Sequence, residues 1–215
     1  MKTVLVIGLG QFGSRIAKRM EELNCEVMAV DVVEERVNEV LPYVTYAQIG
    51  DSTNAEFLRS LGIDNYDVCI VALGAQFQSS LETTSLLKEL GAKKVISRAT
   101  NDVHMKFLLR NGADEVVYPE MQMAQRIATK YASDNILDFI EIDDENSIYE
   151  IKVPKDWCGK TLMQLDVRKK YKSNVLTLKR GGEVFVPAAD SIIESEDIAL
   201  VTAKESDIQR VLKLK

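Results

Sequence analysis

Three glycines near the amino terminus are spaced as in loops that bind phosphate groups. Gly8, Gly10 and Gly13 follow the apolar run 4–7 directly and form the pattern Gly-x-Gly-x-x-Gly. In such a pattern the first glycine allows a tight turn, the second lets the backbone approach a pyrophosphate, and the third lets the next helix pack closely on a sheet. The amino terminus of that helix also directs unpaired N–H groups toward an anion. The pattern therefore predicts a dinucleotide-binding loop that needs no lysine.

An acidic residue stands where such a loop requires one. Asp31 ends the second apolar run, about 20 residues beyond the glycines, which is the usual spacing. Its carboxylate can accept hydrogen bonds from both hydroxyls of an adenosine ribose and would repel a 2′-phosphate. We therefore expect a nucleotide with an unphosphorylated ribose, namely NAD(H), ATP, ADP or AMP, and not NADP.

Strand and helix patterns alternate around these residues. Apolar runs of strand length are separated by amphipathic stretches, which is typical of a parallel sheet covered by helices on both faces. The predicted strands are 3–7, 26–31, 44–48, 68–73, 95–98 and 115–118. The predicted helices are 11–23, 34–40, 55–61, 78–90, 103–109 and 120–133. The pattern predicts an α/β fold with a Rossmann-like, doubly wound parallel sheet of about six strands.

The pattern changes near residue 135. Shorter, partly alternating strands are predicted at 137–142, 147–153, 175–179, 184–186 and 198–201, with helices near 161–170 and 205–212. These lengths are typical of a small α+β domain. We therefore predict a nucleotide-binding domain over residues 1–135 and a C-terminal domain over residues 136–215.

Composition excludes several classes of function. The chain is 46% hydrophobic and 28% charged, as in ordinary globular proteins, and its apolar runs are of strand length. A net charge of −6 disfavours broad binding to nucleic acid or to anionic membranes. Cys25, Cys69 and Cys158 lie far apart, so neither a disulfide framework nor a metal site is predicted. We expect a cytoplasmic protein.

No catalytic set accompanies the glycine loop. The one histidine, His104, lies in a polar stretch and is more typical of a surface or capping residue than of a general acid or base. A Tyr-x-x-x-Lys pair and the common hydrolase, phosphate-loop and zinc-protease motifs are all absent. The sequence favours a binding module without catalytic residues. The alternatives are a small NAD-dependent oxidoreductase and a nucleotide-responsive transcription regulator, although no basic DNA-reading helix is evident.

Several segments in order resemble a known family. The segments are 6–13, 30–31, 50–53, 71–74 and 111–120, followed in the C-terminal domain by 148–151, 159–162, 165–168 and 195–201. Together they are similar to the RCK family, also called KTN, the regulators of potassium conductance in Ktr- and Trk-type uptake systems. The resemblance implies a regulatory subunit that binds nucleotide and controls potassium flux. It further implies homodimers assembled into an octameric ring, bound peripherally to an integral-membrane transporter subunit at the inner face of the membrane.

The resemblance implies a nucleotide-binding role for each matched residue. The loop would hold phosphates, Asp31 the ribose, Asp51 and Ser52 the adenine side, and Arg98 the phosphates or distal ribose. Asp51 is equally compatible with a simple helix cap, and Glu120, which resembles an acidic residue near the phosphates or a cation, with a favourable helix start. The implied set is Gly8, Leu9, Gly10, Gln11, Phe12, Gly13, Asp31, Val32, Asp51, Ser52, Ala72, Leu73, Gly74, Arg98 and Glu120.

One residue departs from the ATP-sensing members of the family. Those members tend to carry arginine where this chain has Gln11, and a neutral amide cannot supply the same charge-assisted bond to a terminal phosphate. Trk-type regulators often have glutamine there and are associated with NAD(H). Both NAD(H) and ATP/ADP therefore remain candidates.

The resemblance also implies two features outside the nucleotide site. In some Ktr-type members the C-terminal domain dimerises and binds cyclic di-AMP, for which the candidates here are Leu165, Val167, Arg168, Val175 and Pro187. The basic run that begins at Arg168 also fits a solvated helix end. The predicted helix 120–133 has an apolar side formed by Met123, Ile127 and Tyr131, which suits either a homodimer contact or intrachain packing.

Overall fold

The computed structural model describes residues 1–143 and 145–213. The chain forms two compact units, Met1–Gln122 and Met123–Lys215. The division falls inside a helix, Pro119–Tyr131, so the predicted boundary near residue 135 lies within the second unit.

The first unit is built on a six-stranded parallel sheet. The strand order is β3-β2-β1-β4-β5-β6, so the chain reverses direction across the sheet between β1 and β4. The strands are β1 Thr3–Ile7, β2 Glu26–Asp31, β3 Tyr46–Ile49, β4 Val68–Val71, β5 Val95–Arg98 and β6 Glu115–Val117. The predicted doubly wound parallel fold is confirmed.

Helices cover both faces of this sheet. Alternate residues of β1 enter different cores: Leu5 and Ile7 pack on one side, and Val4 and Val6 on the other. A strand whose two faces are both buried is expected to be continuously apolar, as β1 is. The helices are α1 Gln11–Glu22, α2 Glu34–Val40, α3 Ala55–Ser60, α4 Phe77–Glu89, α5 Asp102–Arg110 and α6 Pro119–Tyr131.

Hydroxyl groups, as well as apolar side chains, pack α4 against its neighbours. The Thr84 hydroxyl lies 2.8 Å from that of Ser97 on β5, and the Ser80 hydroxyl lies 2.7 Å from Nε2 of His104 on α5. His104 is fully buried and stacks near Phe77, so the prediction of a surface or capping histidine was wrong. Burial lowers the pKa of His104 below its usual range, which favours the neutral ring.

The second unit has an antiparallel sheet in the order β10-β9-β11-β8-β7. Its strands are β7 Ile136–Glu141, β8 Asn146–Lys152, β9 Asn174–Arg180, β10 Glu183–Phe185 and β11 Ile198–Lys204. Its helices are α7 Leu162–Leu165, α8 Val167–Tyr171 and α9 Glu205–Leu212. The predicted α+β architecture is confirmed, but the single helix predicted at 161–170 was wrong. Asp166 adopts a left-handed backbone (φ 46°) and divides it into α7 and α8.

Two further findings bear on function. Within residues 1–143 and 145–213, no helix has both the length and the apolar character needed to span a bilayer. In the same residues, no group of three or more His, Cys, Asp or Glu side chains is arranged to hold a metal ion.

The close packing of α1 on the glycine loop yields a first prediction. A Cβ added at Gly13 would lie 1.8 Å from the carbonyl oxygen of Gly8 and 3.0 Å from Cβ of Ala72. We expect Gly13→Ala to lower the free energy of unfolding by about 3 kcal/mol, because backbone must move to admit the methyl group. Urea denaturation measures the change.

Gly10→Ala is the matched control for this prediction. A Cβ at Gly10 meets nothing within 4 Å, so this variant should lose less than about 1 kcal/mol. Equal stability of the two variants would contradict the packing role assigned to Gly13.

Candidate nucleotide-binding site

The ends of five neighbouring strands enclose a cavity at the carboxyl edge of the parallel sheet. The cavity has a volume of about 290 Å³ and lies where the strand order reverses, which is where open α/β sheets bind their ligands. Its walls are Ile7, Gly8, Gly10, Asp31, Val32, Val33, Arg36, Gly50, Asp51, Ser52, Ala72, Leu73, Gly74, Ala75, Gln76, Ser79 and Arg98.

Asp31 joins the end of β2 to the glycine loop. Its Oδ2 accepts a hydrogen bond from the N–H of Leu9 at 2.6 Å, and its Oδ1 accepts one from the N–H of Val33 at 2.9 Å. The carboxylate is almost completely buried, and Nη1 of Arg36 lies 3.5 Å from Oδ2. Each carboxylate oxygen can accept about two hydrogen bonds; Oδ2 already accepts from Leu9 and Arg36, whereas Oδ1 accepts only from Val33 and retains capacity for a ribose hydroxyl.

The glycine loop has open space beside its backbone at Gly10. The N–H of Gly8 continues the ladder to β2 by donating to the carbonyl of Val30 at 2.8 Å, and the φ of 90° at Gly8 then turns the chain after β1. Gly10 caps the amino terminus of α1 and lines the cavity with open space at its Cβ position. A phosphate can therefore approach the backbone of Gly10 and the unpaired N–H groups of the first turn of α1.

Arg98, at the end of β5, also lines the cavity. Its Nη2 donates to Oε1 of Glu120, and its guanidinium lies 5.3 Å from the ring centre of Phe12. Its Nε is buried without a hydrogen-bond partner among the described residues. The pKa of Glu120 is lowered by a hydrogen bond from its own backbone N–H and by Arg98, so the carboxylate is ionised at neutral pH.

Asp51 and Ser52 form the turn after β3. Oδ1 of Asp51 accepts from the N–H and the hydroxyl of Thr53 at 2.9 and 2.7 Å, while Asn54 caps α3. The Ser52 hydroxyl is buried 2.8 Å from that of Thr83 on α4. Asp51 thus stabilises its own turn and lines the cavity, whereas the alternative reading of Asp51 as a helix cap was wrong, because Asn54 caps α3.

The structure brings together most, but not all, of the predicted nucleotide residues. Five of them do not line the cavity, each for a local reason. Leu9 packs in the core, Gln11 is exposed, and Gly13 lies beneath the carbonyl of Gly8. Phe12 and Glu120 contact Arg98 instead. The predicted residues that line the cavity are Gly8, Gly10, Asp31, Val32, Asp51, Ser52, Ala72, Leu73, Gly74 and Arg98.

Sequence reasoning missed seven wall residues, including Arg36 and Ser79, which carry polar groups. Arg36 lies in α2, five residues after Asp31, and Ser79 lies in the first turn of α4. The position of Arg36 shortly after a strand-end acid could have revealed it, because Arg36 lies in the first turn of the helix that follows this strand. Ser79 carries no comparable signal. The remaining missed residues are Ile7, Val33, Gly50, Ala75 and Gln76.

The second unit has a cavity of its own, of about 390 Å³. Four of the five residues predicted there line it: Val167, Arg168, Val175 and Pro187. The fifth, Leu165, points into the core of the unit instead. The other walls are Leu162, Met163, Asp166, Asn174 and Ala189.

The first unit places the protein in the class of Rossmann-like, doubly wound α/β folds. Residues 4–119 match the TrkA-N domain and residues 148–215 the TrkA-C domain. The chain is 45% identical over 213 residues to Ktr system potassium uptake protein C of Bacillus subtilis, covering 99% of this chain and 96% of the relative. It is 39% identical to Ktr system potassium uptake protein A of the same organism, covering 97% and 95%. The chain belongs to the family of Ktr potassium uptake proteins.

Solved structures show the same fold at lower identity. The GsuK RCK domain superposes with a TM-score of 0.67 at 16% identity, over 99% of this chain and 48% of that one. The GsuK channel bound to NAD gives a TM-score of 0.67 at 16% identity, over 98% of this chain and 39% of that one. The chain thus corresponds to less than half of each of these longer proteins.

The open space at Gly10 yields a second prediction. Gly10→Ala adds a methyl group on the cavity wall at the start of α1 without a clash inside the protein. We expect nucleotide affinity to fall about tenfold or more, since the methyl group occupies space that a pyrophosphate requires. Isothermal titration with ADP and NAD measures the loss. An unchanged dissociation constant would show that phosphate does not pass over Gly10.

Proposed function

We propose that the chain is a regulatory subunit of a Ktr-type potassium transporter and that an adenine nucleotide bound in the first unit controls its activity. One observation carries the ligand assignment: a buried acid at the end of β2 and an open glycine loop face the same cavity at the switch point of the sheet. The relationship to Ktr potassium uptake proteins over almost the whole chain supports the transport role.

The walls of the cavity suit a nucleotide with an unphosphorylated ribose. Asp31 would accept the ribose hydroxyls, the loop at Gly10 would hold phosphates, and Arg98 would supply a positive charge beyond them. Val32 and Ala72 provide apolar walls for the adenine. NAD(H), ATP and ADP share these elements, and Gln11 is exposed outside the cavity, where its amide offers no charge to a third phosphate.

The polar groups in the cavity favour binding over turnover. The described residues that line it carry carboxylate, guanidinium, hydroxyl and amide groups, and none carries an imidazole, thiol, phenol or amine. His104 is buried behind α4 and is hydrogen-bonded to Ser80. We therefore propose a binding subunit and not an NAD-dependent oxidoreductase; steady hydride transfer to a hydroxy acid or aldehyde would reverse this choice.

Control of transport requires that ligands distinguish two arrangements of the subunits. We propose a cytoplasmic homodimer, assembled into an octameric ring and attached to the inner face of the membrane through an integral-membrane transporter subunit. On α6, Met123, Ile127 and Tyr131 are exposed and available to a second copy. Reversing a 1:99 equilibrium requires a difference of about 5.5 kcal/mol in binding between the two arrangements, which several protomers of one ring can share.

The ligand assignment predicts the behaviour of Asp31→Asn. The amide offers one acceptor atom in place of two and presents an N–H₂ group to either a ribose hydroxyl or a loop N–H. The affinity for NAD and ADP, measured by calorimetry, should fall about tenfold or more.

In the wild type, NADP should bind about tenfold more weakly than NAD because its 2′-phosphate meets the carboxylate.

Asp114→Asn is the matched control for this test. Like Asp31, Asp114 accepts a backbone N–H, that of Val95 at 2.7 Å, and it pairs with a cation, Lys88, but it does not line the cavity. If Asp114→Asn binds nucleotide as the wild type does and Asp31→Asn does not, the loss of affinity is specific to the cavity at Asp31. Undiminished affinity in Asp31→Asn would remove the ribose assignment.

The cavity of the second unit supports a second ligand. We propose that it binds cyclic di-AMP, with Val167, Val175 and Pro187 against the bases and Arg168 near a phosphate. Nε of Arg168 is held by Oδ1 of Asn174 at 2.9 Å, which leaves its terminal nitrogens available to an anion.

This assignment predicts that cyclic di-AMP binds the wild type and that Arg168→Ala weakens it about tenfold or more. Lys169→Ala is a suitable control, because Lys169 belongs to the same basic run but does not line the cavity. Equilibrium dialysis with labelled ligand measures both. Absence of binding to the wild type, or equal loss in the two variants, would end the proposal.

A further inference from the structure

A buried histidine is hydrogen-bonded to the first turns of α4, and the start of α4 forms part of the cavity wall. Building on the nucleotide site proposed above, we propose that His104 is a positioning residue: its hydrogen bond to Ser80 fixes the start of α4 against the cavity, so that protonation of the ring weakens nucleotide binding. His104 does not line the cavity and acts on the ligand only through α4.

The start of α4 has little apolar packing of its own. Phe77 and the two residues that follow it are not buried, and no side chain caps the helix at Gln76. Ser80 is the first residue of α4 that is completely buried. Gln76 and Ser79 line the cavity on either side of this turn. A shift of Ser80 would therefore move part of the wall.

Both ring nitrogens of His104 have hydroxyl partners. Oγ of Ser80 lies 2.7 Å from Nε2, and the hydroxyl of Thr100 lies 3.4 Å from Nδ1. The Ser80 hydroxyl donates to the carbonyl of Phe77 at 2.8 Å, so its one proton is used there and Nε2–H donates to Ser80. A chain of hydrogen bonds thus runs from the loop after β5, through the neutral ring, to the first residue of α4.

The surroundings of His104 suit a neutral ring and not a charged one. The ring is completely buried, and it contacts the hydroxyls of Ser80 and Thr100 and the ring of Phe77, none of which carries a charge. Burial lowers the pKa of His104, because a positive charge there would lose its hydration. The charged residues of the surrounding elements are exposed or paired elsewhere: Glu82 on α4, Arg98 on β5, and Asp102 and Lys106 on α5.

Nucleotide affinity should therefore fall as the solution becomes more acidic. If the start of α4 moves away and water reaches the ring, histidine regains its usual pKa of about 6.5. In the arrangement that binds nucleotide, the pKa of His104 is lower. Protons thus bind more strongly to the displaced arrangement, which becomes favoured as the pH falls below about 6.5. His104 is the only histidine of the chain, and histidine is the side chain that ordinarily titrates in this range.

Calorimetric titration with NAD at two pH values tests the inference. NAD is suitable because it carries no phosphate monoester, whose second pKa of about 6 would add a titration of its own. We expect the wild type to bind NAD about three- to tenfold more weakly at a pH of about 5.5 than at about 7.5. His104→Gln keeps an N–H near the position of Nε2 and cannot be protonated, so its affinity should change less than about twofold between the two pH values.

Ser80→Ala tests the hydrogen bond itself, with Thr84→Val as its matched control. At a pH of about 7.5, Ser80→Ala should bind NAD about three- to tenfold more weakly, because Nε2–H loses its acceptor. The Thr84 hydroxyl is equally buried on α4, 2.8 Å from that of Ser97, but Thr84 does not line the cavity. Thr84→Val should lower the urea midpoint as Ser80→Ala does, and it should leave NAD affinity unchanged.

The outcomes separate the positioning role from the nucleotide site. If the wild type binds neither NAD nor ADP, the proposed nucleotide site itself fails. If it binds ADP but not NAD, the same comparison is made with ADP, since titration of the ADP phosphate affects the wild type and His104→Gln equally. If the wild type binds nucleotide and His104→Gln shows the same pH dependence, the site stands and the positioning role is overturned. Equal losses of affinity in Ser80→Ala and Thr84→Val would also overturn it.

Discussion

The hydrogen bond between the Asp31 carboxylate and the N–H of Leu9 fixes the geometry of the first unit's cavity. A buried carboxylate must be hydrogen-bonded, and Asp31 meets this requirement with the N–H groups of Leu9 in the glycine loop and of Val33 after β2. The bond sets the distance between the end of β2 and the turn that follows β1. The group assigned to the ribose is therefore also the group that shapes the phosphate loop, so the two subsites cannot shift independently.

Steric constraints supply the rest of this geometry. The carbonyl of Gly8 occupies the space where a side chain at Gly13 would be, which brings α1 close to the sheet. On the other side, the ring of Phe57 fills the Cβ position of Gly50, so the turn at Asp51 and Ser52 is held against α3. The Ser52 hydroxyl then contacts Thr83. The walls of the cavity thus belong to the packed core, and a ligand that displaces one of them must also displace a helix.

The fold could be predicted from the sequence because its signals are local and repeated. Strands β1, β2 and β5 begin and end where the apolar runs do, since a strand buried on both faces is continuously apolar. The break at Asp166 has no such signal, because a left-handed backbone at an aspartate leaves the apolar pattern unchanged. The burial of His104 could not be predicted either. The face of α4 that packs on it is rich in serine and threonine, which are usually exposed, but here their hydroxyl groups are hydrogen-bonded to His104 and Ser97.

The site residues show the same distinction. Glycine spacing and a strand-end acid locate the cavity, because each position has its own steric or electrostatic requirement. The contacts of Arg98 with Phe12 and Glu120 join residues that lie far apart in the sequence and depend on the order of the strands, which the sequence pattern does not specify.

The most direct measurement is a crystal structure of the chain with NAD or ADP. We expect the adenosine ribose hydroxyls to lie within hydrogen-bond distance of the Asp31 carboxylate and the pyrophosphate to lie over Gly10. A nucleotide bound elsewhere, with Asp31 contacting only Leu9, Val33 and Arg36, would contradict it.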